Sequence, residues 1–300
     1  MKRYRVFQVD AFTRERFRGN PAGVVANADG LSEGQMQEIA RELNNSETAF
    51  VLSPSGSDHD VWIRFFTPTT EVPICGHATI SAHYVRAREM GLGDAVVRQR
   101  TGAGILPVEV VREDGDHRIV MTQGEVELGP VLAGEERDTL LAALGLGEDD
   151  LDPALPVQAV STGHAKVIVG IRSVARLDAL RPDLAALAEL SGRIGLNGFH
   201  VFTLDSPDPG VLAHGRMFAP AIGIPEDPVT GNANGPLGAL LVQHARVPHD
   251  GRRLRFRARQ GVAMGRPGTV EVMVDIDGGR PSRVRVAGEA VVVFHAEIEL

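Results

Sequence analysis

Four short stretches hold residue types that can move a proton and hold an acid. Glu47 lies in Ser46-Glu47-Thr48-Ala49-Phe50, Cys75-Gly76-His77 and Thr230-Gly231-Asn232 each open an apolar segment, and Asp227 follows Glu226 just upstream of the second of these turns. A carboxylate at the tip of a β-type run, next to apolar segments that exclude water, suits a group that takes a proton from carbon and returns it. A helix start leaves several backbone amides without partners and carries a partial positive charge, so a Gly-marked helix start can bind a carboxylate. His77, directly after Gly76, is placed to donate a hydrogen bond to a ligand held there. Each signal also has a structural reading: a solvated glutamate, a core histidine, glycines that serve only tight turns.

An internal repeat gives these stretches a common frame. Arg64, Phe66 and Pro68 recur 152 residues later as Arg216, Phe218 and Pro220. After a three-residue insertion, Cys75-Gly76-His77-Ala78 falls on Thr230-Gly231-Asn232-Ala233. The same separation carries Asn45, Phe50 and Leu52 onto Asn197, Phe202 and Leu204, while Gly19-Asn20 and Gly163-His164 extend the match at a separation of 144. Separate stretches sharing one offset point to duplication. Two related halves whose Gly turns face each other would build one site for a small carboxylate. Glu47 then corresponds to Phe199 and His77 to Asn232, and Asp227 has no counterpart of its type, so the chemistry is expected in the unshared residues.

The elements that must position these groups follow from pattern. Tyr4 to Phe12 alternates as a strand, and Ala22 to Ala26 is a short apolar strand. Ser32 with Gln35 forms a capping box for a helix whose inner face is Met36, Ile39, Ala40 and Leu43. Ser46 to Leu52 is a β-type run. Ala78 to Val85 and Leu237 to Val242 are apolar nearly all round, and a helix without a polar face must be covered on every side, so each is expected as a central helix wrapped by strands. Gly235 and Gly238 would let those strands approach closely. Short β runs fill the remainder, including Ala95 to Gln99, Lys166 to Gly170 and Leu254 to Arg259. Glu135 to Leu146 and Leu184 to Ile194 read as surface helices. Gly124 to Gly134 is the expected crossing between halves.

Composition narrows the class. Three hundred residues suit two domains, and 43% hydrophobic with 23% charged residues is a globular balance. A net charge of -8 gives no general attraction for nucleic acid or an anionic membrane. The single cysteine excludes an internal disulfide and fits a reducing cytoplasm. The N-terminal segment alternates charged and apolar residues and lacks the apolar core of a signal peptide, and no apolar run is long enough to span a bilayer. With no Walker loop, His-Glu-x-x-His or CxxC, neither a phosphate nor a metal reading has a basis. Asp275 and Asp277 before Gly278-Gly279 read as a turn, and Arg255, Arg257 and Arg259 as a solvated sheet face, with Gln260-Gly261 after that strand expected to approach the cleft.

Together, Gly19-Asn20-Pro21, Ser46 to Phe50, Cys75 to Thr79 and Glu226 to Gly231 resemble the PhzF family, the phenazine-biosynthesis-like isomerases, in the family's order and over nearly the whole chain. The resemblance implies an α+β fold of the diaminopimelate-epimerase type: two pseudo-symmetric, mostly antiparallel β barrels, each around a central helix. The expected domains are residues 1–124, completed by 286–300, and 125–285. It further implies a cofactor-independent, cytoplasmic isomerase, a homodimer acting on a small carboxylated metabolite. Glu47 matches the family's acid/base glutamate, and His77 and Asp227 its functional histidine and aspartate. Gly76, His77, Asp227, Gly231 and Asn232 are the expected substrate-binding residues, with Asn232 standing where the family usually has Ser. Two alternatives remain at this level. One is an epimerase or dehydratase of the same fold using Cys75, without the second thiol of the two-thiol enzymes because Thr230 stands opposite. The other is a non-catalytic metabolite-binding protein.

Overall fold

Capping and periodicity set the first elements of the chain, whose residues 2–300 are described by a computed structural model. They run β1 (Arg3–Ala11), β2 (Asn20–Val25), α1 (Glu33–Leu43), β3 (Thr48–Leu52), β4 (Val61–Phe66), β5 (Glu71–Val72), α2 (Gly76–Met90), β6 (Ala95–Thr101), β7 (Gly104–Glu113) and β8 (Asp116–Thr122). There follow β9 (Glu127–Val131), α3 (Gly134–Leu144), β10 (Gln158–Ser161), β11 (Lys166–Ile171), α4 (Val174–Asp178) and α5 (Leu184–Ile194). The chain ends with β12 (Phe199–Thr203), β13 (Ala213–Ala219), β14 (Ile224–Asp227), α6 (Gly231–Gln243), β15 (Arg253–Gln260), β16 (Gly268–Asp277), β17 (Arg280–Gly288) and β18 (Ala290–Glu299). Both halves of the Ser32/Gln35 capping box form at the start of α1. Among the described residues, no helix is long and apolar enough to cross a membrane.

Two compact units emerge, one of Met1–Thr122 with Ala287–Leu300 and one of Gln123–Val286. In the first, β18, β1 and β2 pair antiparallel, β2 runs parallel to β3, β3 antiparallel to β4, β4 parallel to β6, and β6, β7 and β8 form a meander. In the second, β9, β10 and β11 pair antiparallel, β11 runs parallel to β12, β12 antiparallel to β13, and β13 parallel to β15, which pairs antiparallel with β16. The order of parallel and antiparallel steps is the same in both. Parallel neighbours need a long crossover. In each unit one crossover is an outer helical layer, α1 or α4–α5, and the other is the buried helix, α2 or α6. Residues Ala78 to Val85 of α2 and Ala233 to Val242 of α6 are buried throughout. A Cβ on Gly238 would lie 2.8 Å from Val272 and Val274 of β16, so that strand approaches α6 as closely as glycine permits.

The strand registers correct the repeat by one residue. Arg64 and Arg216 are true counterparts: each guanidinium carbon lies 5.1 Å from the ring of the Phe two residues on, Phe66 or Phe218. Phe66 is paired with Thr48, whereas Phe218 is paired with Phe199. Thr48 therefore corresponds to Phe199, at an offset of 151, and Glu47 to Gly198 rather than to Phe199. The core faces agree, because Phe50 packs in the cluster with Met36 and Ile39 of α1 while Val201, not Phe202, packs in the cluster with Leu187 and Leu190 of α5. A one-residue slip in a strand exchanges its two faces, and a Phe at both positions hid the slip in the sequence. The next register, Gly23 opposite Thr48 and Val167 opposite Phe199, reproduces the 144 offset. The expected crossing at Gly124 to Gly134 instead contains β9, and the units divide at Thr122/Gln123.

Two fully buried histidines couple this fold to pH. Burial holds His200 of β12, neither of whose ring nitrogens has a hydrogen-bond partner among the described residues, at about 3. It holds His83 of α2 at about 4, against the opposing hydrogen bond to Gln99. Both fold in the neutral form, so the unfolded chain binds more protons below the ordinary value of 6.5. Stability is thus expected to fall as pH drops from about 6.5 towards 4, by about 1.4 kcal/mol per pH unit for each histidine. Urea unfolding at pH 7, 6 and 5 measures the slope, and His200→Leu should reduce it; an unchanged slope in that variant contradicts the assignment.

Candidate active site

Glu47 stands just before β3, where its carbonyl accepts the Gly23 N–H at 3.3 Å. Two residues upstream, Asn45 exchanges side-chain amide hydrogen bonds of 2.8 and 2.9 Å with Gln8 of β1, which anchors the loop bearing Ser46 and Glu47. The His77 ring, in the first turn of α2, meets this loop. Its Nε2 lies 3.3 Å from Ser46 Oγ and 3.4 Å from Glu47 Oε2, and its Nδ1 lies 3.4 Å from Cys75 Sγ. The Glu47 side chain is 15% exposed and that of His77 9%, so the pair is mostly withdrawn from water without being sealed. One proton arrangement satisfies all three groups: Nε2–H donates to the Glu47 carboxylate and Nδ1 accepts the thiol S–H. Glu47, Cys75 and His77 also each offer a ligand atom within 4.8 Å of the others. The two ring nitrogens face different neighbours, however, so a shared proton network fits this geometry better than a single metal position.

The two Gly turns open α2 and α6 as expected, with Gly76 and Gly231 the first helical residues. Their N-cap residues, Cys75 and Thr230, make no side-chain capping bond, unlike Ser32 of α1. Thr230 donates its hydroxyl to Asp227 Oδ2 instead. Both helix starts thus keep first-turn amides uncapped by side chains, the arrangement that favours an anion.

Each turn is fixed by an arginine of the repeat. Arg64 holds Glu71 through two bonds of 2.7 and 2.6 Å, and Arg216 holds Glu226 through two of 2.9 and 2.8 Å. Arg216 also donates to the carbonyls of Leu177 and Leu180. Such bidentate pairs set both distance and orientation. In the second unit, buried Gln260 donates to the Asp227 carbonyl at 2.7 Å and to Thr230 Oγ1 at 3.1 Å, and accepts from the Thr230 N–H at 3.2 Å and Asn234 Nδ2 at 3.0 Å. Gln123 donates to Asn232 Oδ1 at 3.0 Å and to the Gly231 carbonyl at 3.1 Å. With its oxygen engaged, Asn232 has its NH2 group left to donate. A Cβ on Gly235 would lie 1.8 Å from Gln123 Oε1, so that glycine makes room for the Gln123 side chain.

The structure therefore groups Glu47, Gly76 and His77 with Cys75 in the first unit, and Asp227, Gly231 and Asn232 in the second. Sequence reasoning placed Gln260 near the site and missed Gln123 and Lys166. Lys166 begins β11 and is 8% exposed. Burial lowers it to about 8, opposed by the charge of Asp227. Burial, with the Lys166 charge adding to it, also lowers His164. The signal was present in the composition, since the chain has only two lysines, Lys2 and Lys166, and otherwise uses arginine for positive charge.

Residues 9–296 match the model of a family described as phenazine biosynthesis-like protein, PhzC-PhzF. An uncharacterized isomerase of Clostridium acetobutylicum is 54% identical over 300 residues, covering 100% of this chain and 99% of the relative. The trans-2,3-dihydro-3-hydroxyanthranilate isomerase of Pseudomonas aeruginosa is 35% identical over 288 residues, 96% of each chain. The crystal structure of a PhzF-family phenazine biosynthesis protein from Bacillus anthracis is similar at a TM-score of 0.89 and 35% identity, over 100% of both chains.

The surroundings of Lys166 give a measurable titration. In a chain labelled with 13Cε-lysine, NMR should resolve two signals, one of them titrating near 8. Asp227→Asn removes an influence that raises Lys166, so the midpoint should move lower still. A Lys166 midpoint in the ordinary lysine range, or an upward move in Asp227→Asn, contradicts the described environment.

Proposed function

The chain belongs to the phenazine biosynthesis-like (PhzC-PhzF) family and is an isomerase, and we propose that Glu47 is its single acid/base group, acting on a small carboxylated metabolite without a cofactor. The observation that carries this reading is the Glu47–His77 contact at 3.4 Å, in a loop anchored on both sides and largely withdrawn from water. In the forward step the Glu47 carboxylate takes a carbon-bound proton, and the electron pair left behind delocalises into the adjoining unsaturated, carboxylated system. The neutral Glu47 then returns the proton to a different carbon, so atoms and charge balance with no second reactant. His77 orients the carboxylate through Nε2–H. The α2 amides from Gly76 onward take the charge that builds up on substrate oxygens. Asp227, Gly231 and Asn232 enter the proposal as the substrate-holding groups of the second unit, on the strength of their uncapped helix start and their matching sequence positions.

Trans-2,3-dihydro-3-hydroxyanthranilate, named for the Pseudomonas aeruginosa relative, is the first compound to test, because it carries the required carboxylate and unsaturation. The contact between Cys75 and His77 supports one competing reading, in which the thiol is the base. In the proposal the thiol only shares a proton with the ring edge turned away from Glu47.

The two readings separate cleanly on the substrate once it is in hand. Glu47→Gln is expected to lower turnover by about 100- to 10,000-fold. Cys75→Ser should keep it within about fivefold, since thiol and hydroxyl are close in shape. Deuterium from solvent should enter the product at one carbon in the wild type and not in Glu47→Gln. The reverse order of the two variants would assign the chemistry to Cys75.

A further inference from the structure

The second unit carries an open groove of about 500 Å3 that no step of the proposed chemistry uses. Arg172, just after β11, and Arg246, just after α6, both line it. They are far apart in the chain, yet the fold anchors them on consecutive residues. Arg172 Nε donates to the Leu151 carbonyl at 2.8 Å, and Arg246 Nε donates to Asp152 Oδ2 at 2.9 Å. The anchoring segment is itself fixed beside the end of β11, since the Asp152 N–H donates to the Gly170 carbonyl and the Arg172 N–H to that of Asp150, both at 2.9 Å. With each Nε engaged, each guanidinium keeps its two terminal nitrogens, which have no hydrogen-bond partner among the described residues. That pair is the edge that grips a carboxylate through two parallel bonds.

The two carboxylates of the groove are unequally occupied. Asp152 has both oxygens engaged, Oδ1 by the Ala154 N–H at 3.0 Å and Oδ2 by Arg246. Asp205, just after β12, accepts the Val174 N–H on Oδ2 at 3.0 Å, and its Oδ1 has no partner among the described residues. One free carboxylate oxygen therefore lines the same groove as two free guanidinium edges. Two arginines and two aspartates sum to no net charge. A ligand bearing only an acid would meet a like charge at Asp205, and one bearing only an amine would meet a like charge at Arg172, which has no ion pair among the described residues. A zwitterion answers both signs at once. Ile171 and Leu204 supply apolar wall beside these groups.

We propose that this groove binds a free α-amino acid with an apolar side chain, its carboxylate on the Arg172 and Arg246 edges, its ammonium on Asp205 Oδ1 and its side chain along Ile171 and Leu204. Arg246 follows the C-terminal end of α6, whereas Gly231 is the first residue of that helix, and the 13 residues between these ends span about 20 Å. The site is thus separate from the substrate-holding turn of the same unit, and it does not depend on which residue moves the proton.

The test is calorimetric titration of the full-length protein with L-phenylalanine, 3-phenylpropanoate and 2-phenylethylamine, which share an aromatic body and differ in their charged groups. L-Phenylalanine should bind with a Kd of about 1 mM or tighter, and about tenfold or more tighter than either singly charged compound. Arg172→Gln removes a cation without breaking an ion pair, and Asp205→Asn keeps an acceptor for the Val174 N–H; each should weaken L-phenylalanine by about tenfold. Arg172→Gln should also narrow the margin over 2-phenylethylamine, and Asp205→Asn the margin over 3-phenylpropanoate, whereas a merely structural effect would weaken all three compounds alike. Far-ultraviolet dichroism confirms that each variant is folded, and Arg172→Lys, whose ammonium cannot grip two oxygens in parallel, replaces Arg172→Gln if the latter is not. Glu47→Gln should bind L-phenylalanine as the wild type does, and loss of binding in that variant would assign the ligand to the catalytic site instead. The proposal is overturned by a Kd for L-phenylalanine weaker than about 1 mM, by no preference for the zwitterion, or by binding that is unchanged in both groove variants.

Discussion

A helix that is apolar on every side has to be surrounded, and most of this architecture follows from that constraint. The Ala78 to Val85 segment of α2 and the Ala233 to Val242 segment of α6 offer no face to water, so strands close around each within its own unit. The buried helix also serves as the crossover that lets β4 run parallel to β6 and β13 to β15. Because such a helix is held all round, its first turn is held as well. The backbone amides of Gly76 and Gly231 therefore stand at fixed places, which a surface helix with a fraying end could not offer.

Around these fixed helix starts the polar groups form two networks of different character. In the first unit the network is short and titratable: thiol, imidazole, carboxylate, with Ser46 alongside. In the second it is built chiefly from amides. Gln123 and Gln260 bridge turn, strand and helix, orienting Asn232 and Asp227 without giving or taking protons. Replacement of one buried amide would leave several donors and acceptors unsatisfied, each at roughly 1–3 kcal/mol. The groups of the first network can exchange protons, whereas the amides of the second can only fix position.

Much of this was legible in the sequence, for reasons that can be traced residue by residue. The Ser32/Gln35 cap, the apolar helices and the Gly turns are local signals, read from neighbours along the chain. Glu47 and His77 were each singled out through the family resemblance, but nothing in the sequence joined them, and their contact is seen only in the structure. What escaped notice depends on strand register. Period two makes a slip of one residue invisible wherever both faces are apolar, as they are around Phe50 and Phe202, and so Glu47 was set against Phe199 instead of Gly198. Lys166 and Gln123 were missed because each reaches its partners across chain separations that no local pattern encodes. The rarity of lysine in a chain rich in arginine was the one composition signal that pointed to Lys166.

The paired arginine clamps have a consequence for how such a protein can change over generations. The Arg64–Glu71 pair spans seven residues and the Arg216–Glu226 pair ten, yet both end in the same two-bond grip ahead of a helix start. The three inserted residues are taken up by the segment between the clamp's ends, where a short turn of 3-10 helix at Pro220–Ile222 absorbs the added length. A loop closed by such a grip can gain or lose residues while the amides behind it stay in register. Insertions there can reshape the loop while each helix start keeps its place.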